Sequence, residues 1–105
     1  MSTFCKRLKE ARLAADISQE RLGIEAGIEP ASASARMNQY ETGKHSPNPT
    51  TVQQIATALD LPASYFYSED DDVARMLVLF HRLPVQQRKQ VLLDLETLVG
   101  NGLEP

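Results

Sequence analysis

A chain of 105 residues, 42% hydrophobic and 24% charged, holds enough material for one domain with a short appended element, and excludes a multidomain enzyme built around a deep cleft. The formal net charge of −3 gives no nucleic-acid signal by itself, but residues 1–49 carry seven Lys or Arg against six Asp or Glu, while residues 50–105 carry four against eight. Cys5 is the single cysteine, which excludes an intrachain disulfide, and the longest apolar run, Met76–Phe80, is far too short to span a bilayer.

Along the chain the apolar pattern is helical, with no convincing strand, repeat or low-complexity segment. Phe4, Leu8, Ala11 and Ala15 recur at helical intervals after a Ser2 or Thr3 cap, which predicts a first helix ending near Asp16. Lys6, Arg7, Lys9 and Glu10 stand where an export signal needs an apolar core, so a cytoplasmic location is expected. Ser18 caps a short second helix with Leu22 and Ala26 inward, running to Ala26 and stopped by Gly27. Gly23 inside it costs about 1 kcal/mol relative to Ala, and close approach by a neighbouring helix is the expected compensation.

A turn is expected over Ile28–Ser32, where Pro30 favours a turn or a helix start over a helix interior. A third helix then covers Ser34–Glu41, with Met37 and Tyr40 buried, Ala35, Asn38 and Gln39 facing away, and Gly43 as its stop. Asn48 caps a fourth helix with Pro49 at its first position, and Val52, Ile55, Ala56 and Leu59 form its apolar stripe. A short fifth turn at Pro62–Tyr67 buries Leu61, Tyr65 and Phe66. The acidic run Glu69–Asp72 precedes Val73, Met76, Leu77 and Phe80, as negative charge does at a helix start, and it lacks the Gly-containing ligand loop of a calcium site. Pro84 separates this helix from a last one over Val85–Val99, stopped by Gly100, and the two read as a helical hairpin.

Cys5, His45 and His81 are isolated from one another in sequence, without the paired short spacing of a zinc site, so Cys5 is read as packing and no metal or other cofactor is expected. His45, beside Lys44, is placed to touch phosphate, and His81 lies on a helix face. Ser, His and Asp residues occur without a nucleophile motif or a Gly-rich phosphate loop, so the chain is not read as an enzyme.

The run Ile17-Ser18-Gln19-Glu20-Arg21-Leu22, continuing through Gly27 to Tyr40-Glu41-Thr42-Gly43-Lys44 and Pro47, resembles the lambda and 434 repressor and Cro type of helix-turn-helix domain, the Xre family. The resemblance covers roughly Thr3–Tyr67 and rests on the combination of these pieces with the Ile-Ala-x-x-Leu helix and a Tyr-Phe end. It implies an all-α fold: a five-helix domain over residues 1–68, then a C-terminal helical hairpin within residues 69–105. It also implies a DNA-binding transcriptional regulator, a repressor, with helix 34–41 in the major groove of double-stranded DNA. Ser34, Ala35, Arg36, Asn38 and Gln39 would then face bases, and Gln19, Gly43 and Lys44 would meet phosphates. Arg12 and Glu41 match positions that pair in related domains, an ion pair tying helix one to the end of helix three.

The interval Gly27–Glu41 is longer than in most of the family, and the extra residues are expected to enlarge the turn at Ile28–Ser32. Apolar residues in 73–99 exceed one narrow stripe, which points to a homodimer through that segment. A protein-binding adaptor or antitoxin-like partner using the same fold is the alternative, separated from DNA binding by whether Arg36, Asn38 and Gln39 are exposed on a positive face.

Overall fold

The computed structural model describes residues 2–100, so the last five residues of the expected C-terminal segment lie outside it. Among the described residues the elements are α1 (Thr3–Ala14), α2 (Gln19–Glu25), α3 (Pro30–Thr42), α4 (Pro49–Ala58), a 3-10 turn (Ala63–Tyr67), α5 (Asp71–Arg82) and α6 (Val85–Val99), with no strand.

Local chemistry sets most of the boundaries. Ser2 Oγ accepts from Cys5 N at 3.2 Å, Ser18 Oγ from Arg21 N at 3.0 Å, and Asn48 Oδ1 from Thr51 N at 2.8 Å, so each helix start has one of its orphan N–H groups satisfied. Asp70 Oδ1 accepts from both Asp72 N and Val73 N, which makes the acidic run a helix cap. At the other end of α3, Gly43 takes the left-handed conformation with φ 82°.

The third helix departs from expectation. It begins at Pro30, not Ser34, and the connection from α2 is correspondingly short. The residues expected to enlarge a turn at Ile28–Ser32 instead add a helical turn to the front of α3. Proline suits this first position because the N–H it lacks would have no helical partner there and its φ is already helical. Buried Ile28 anchors the connection, its N–H donating to Gly23 O at 2.9 Å. The added turn also explains Gly23. A Cβ there would stand 2.8 Å from Ala33 Cβ and 2.9 Å from Ala33 O, so α2 and α3 touch backbone to backbone and only glycine fits.

One core holds these elements. Its fully buried large side chains are Leu8, Leu22, Met37, Ile55 and Phe66, one each from α1, α2, α3, α4 and the 3-10 turn. Ala74 of α5 joins the same cluster and Val78 packs against it. By contrast α6 has no buried residue. It meets α5 at a corner, where Arg88 donates to the carbonyls of Phe80, His81 and Leu83 and lies over the Phe80 ring. Leu92, Leu93, Leu98 and Val99 remain exposed, and the molecule measures 52 Å along its longest axis against 27 and 22 Å across. No described helix is long and apolar enough to cross a membrane.

Candidate nucleic-acid interface

The interface is built on α3, whose buried face is Ala33, Met37, Tyr40 and Glu41. At about 100° per residue, the opposite face is centred on Ala31, Ala35, Asn38 and Thr42, with Gln39 beside it. Ser34, Ala35, Arg36 and Asn38 are exposed, and Gln39 is half-buried. Ser34 and Arg36 sit on opposite flanks of the helix, so the five residues expected to face bases form a band wider than one row.

The position of α3 is fixed by a charged link to α1. Arg12 Nε donates to Glu41 Oε2 at 2.6 Å and Arg12 Nη2 to Glu41 Oε1 at 3.2 Å, a two-pronged contact. Arg12 Nη1 donates to Ile17 O at 3.0 Å, so the same guanidinium also holds the turn before α2. The Glu41 side chain is 4% exposed and the Arg12 side chain 13%.

Gln19 opens α2 on the same side of α3. Its Nε2 donates to Glu41 Oε1 and to Asn38 Oδ1, both at 3.2 Å. The sequence suggests a phosphate contact for Gln19, but the structure also gives it a positioning task, because it holds the amide of an exposed α3 residue. An Asn that reads adenine must accept and donate at once, and the Gln19 contact fixes which end of the Asn38 amide points where.

Beyond the end of α3, Gly43 and Lys44 are exposed, and Lys44 forms no ion pair among the described residues. His45 N donates to Gln39 O at 3.3 Å, which holds this loop against the last turn of α3. A further basic side chain was not singled out from the sequence. Lys9 is exposed and, with Arg12, Ser18, Gln19, Asn38, Glu41 and Thr42, lines an open cleft of about 390 Å³ where α1, α2 and α3 converge. It projects one turn before Arg12 on α1, a spacing that carries meaning only once α1 is known to border α3.

The residues weighed for other chemistry lie apart. Cys5 is buried and its Sγ donates to Tyr40 O at 3.3 Å, His45 is exposed, and His81 Nε2 is 3.4 Å from Asp60 Oδ1 on the far side of the domain. Among the described residues no three metal-capable side chains come together.

Comparison with known proteins agrees with this arrangement. The helix-turn-helix family matches residues 8–66, which run from within α1 into the 3-10 turn. No curated protein matched the sequence. Among solved structures, the crystal structure of the transcriptional regulator BswR matches with a TM-score of 0.83 and 39% sequence identity, covering 96% of this chain and 98% of that one. Its likeness therefore includes the C-terminal helices as well as the domain. The chain belongs to the helix-turn-helix family of the Xre and Cro type, and is a non-enzymatic DNA-binding transcriptional regulator.

Proposed function

We propose that the protein is a sequence-specific regulator, a repressor acting by occupying its operator, with α3 in the major groove of double-stranded DNA. Ser34, Ala35, Arg36, Asn38 and Gln39 read bases, with Asn38 and Gln39 suited to adenine, Arg36 to guanine and Ala35 to a thymine methyl. Gln19, Gly43 and Lys44 meet phosphates on either side of the groove. The observation that carries this reading is the outward band of polar side chains on a helix whose inner face is locked by Met37 and the Arg12–Glu41 pair. Arg36 and Asn38 are exposed while Gln39 is half-buried, and the exposed cations Lys9, Arg36 and Lys44 border this face, which supports DNA over a protein-only partner.

The regulator acts as a homodimer through residues 73–99, in the cytoplasm. Val73, Met76, Leu79, Val85, Leu92, Leu93, Leu98 and Val99 are all exposed on the two C-terminal helices, more apolar surface than a monomer usually leaves in one region. With a net charge of −3, one copy makes few phosphate contacts, and coupling two copies raises affinity through effective concentration.

Selection of bound sequences from a random duplex pool tests both readings. Enrichment of a motif with two half-sites about one helical turn apart, or a multiple of it, is expected. Failure to enrich any motif refutes sequence-specific binding. Sedimentation of the full chain beside Leu92→Glu tests the dimer, because a charge in the interface should yield a monomer whose α1–α4 core is untouched. A wild-type chain that sediments as a monomer refutes it.

A further inference from the structure

Helix α5 is held to the DNA-binding domain at both ends by charged side chains that grip backbone, a stronger attachment than covering the core requires. At its start, Arg7 of α1 is 4% exposed despite its charge. Its Nε donates to Ser68 O at 2.8 Å and its Nη2 to Glu69 O at 3.0 Å, while Nη2 also lies 2.9 Å from Asp71 Oδ1. Nη1 donates to Glu10 at 3.1 Å. One guanidinium therefore holds the chain where it leaves the domain and the first residue of α5 together.

At the far end of α5 the arrangement repeats with other residues. Arg82 Nε donates to Asp60 O at 3.1 Å and its Nη2 to Leu59 O at 3.2 Å, at the exposed end of α4. The Asp60 carboxylate lies 3.4 Å from His81 Nε2 and 3.7 Å from Arg82 Nε. Between the clamps Ala74 is buried in the core. These contacts at both ends and the buried Ala74 seat the twelve-residue helix on the domain and set the direction of its outward side chains Val73, Met76 and Leu79 relative to α3.

We propose that Arg7 and Arg82 are positioning residues that determine operator spacing: by locking α5 at both ends they fix the separation and rotation of the two recognition helices in the dimer. The inference rests on the dimer reading above. One base pair of spacer moves a half-site by about 3.4 Å and turns it by roughly 35°, so a rigid α5 accepts one spacing while a hinged α5 accepts its neighbours too.

The test uses the full chain and duplexes built from the selected motif, with the spacer between half-sites changed one base pair at a time, beside a duplex with one half-site. Arg7→Lys keeps the charge but loses the fork that holds two carbonyls, and Arg82→Lys does the same at the other end of α5. The wild-type chain should prefer one spacing by about tenfold over its neighbours, and each variant should shrink that preference to about threefold, with single-half-site affinity and sedimentation unchanged. Variants that weaken equally at every spacing, or keep the wild-type preference, overturn the proposal and leave the dimer standing. A wild-type chain indifferent to spacing overturns it as well, and a monomeric wild type removes the dimer reading and this one together. Arg82 is exposed, so Arg82→Lys decides the matter should Arg7→Lys fail to fold.

Discussion

Replacing Arg12 by Ala tests the frame on which the recognition helix rests. The variant removes both donors from Glu41 and leaves a carboxylate that is 4% exposed with Gln19 Nε2 as its remaining side-chain partner, at 3.2 Å. It also releases the Ile17 carbonyl before α2. Stranding one charge of a buried pair costs about 3–5 kcal/mol, and the 13% exposure of Arg12 places this pair at the lower end because water can reach its rim. Taking about 3 kcal/mol, and roughly 4–8 °C of Tm per kcal/mol in a small domain, the expected fall is about 12–24 °C. Lys44→Ala is the control, since an exposed side chain without an ion pair shifts stability by no more than about 0.5 kcal/mol. Thermal melts followed by circular dichroism compare the two. Equal melting temperatures would refute the reasoning, and so would an Arg12→Met, Glu41→Leu double variant no more stable than Arg12→Ala, because removing both charges abolishes the stranded carboxylate.

Three further outcomes follow from the same geometry. Gly23→Ala should lower Tm although Ala favours helix by about 1 kcal/mol, because overpacking against the Ala33 backbone costs about 1–3 kcal/mol; a variant at least as stable as the parent would mean that α2 and α3 can part cheaply. Gln39→Ala should weaken binding to the selected duplex by about 1–3 kcal/mol while leaving the melt nearly unchanged, and identical discrimination between selected and base-substituted duplexes would remove Gln39 from the reading set. The hydrogen bond from Arg7 and then the charge of Lys6 hold the Asp71 carboxyl below its ordinary pKa of 3.8, so its stabilisation is full above that value and is lost as pH falls through the depressed one. Asp71→Asn should therefore melt lower than the parent near neutral pH, with the gap closing in acid, and a gap that widened in acid would contradict the sign.

Most of the domain was legible because its signals are local. Ser18, Asn48 and Pro49 mark helix starts by chemistry confined to one turn, and the stripe Val52, Ile55, Ala56 and Leu59 marks a buried face by period alone. The start of α3 was not legible, since Pro30 is equally at home in a turn and at a first helical position. What decides between them is the fit of Ala33 against Gly23, a contact between two helices that only the fold supplies. Gly23 itself did carry a signal, an interior helical glycine demanding a close neighbour. Arg7 carried none, because its main acceptors are carbonyls 61 and 62 residues away and a carbonyl has no residue type. The link from Gln19 to Asn38 was hidden for a similar reason, both residues having been read as facing DNA and not each other.

The burial of Cys5 gives the protein a built-in chemical clock. Its Sγ is directed at Tyr40 O under the end of α3, and the residue is 4% exposed. Cys5 also lines an open cleft with Ser2, Tyr40, Gly43 and His45, so its alkylation rate reports how far that cleft admits a thiol reagent at the seam between α1 and the end of α3. Because Cys5 is the single thiol, the signal needs no engineered label. Each tenfold slowing on adding operator DNA would correspond to about 1.4 kcal/mol of added protection for the seam that aims the recognition helix.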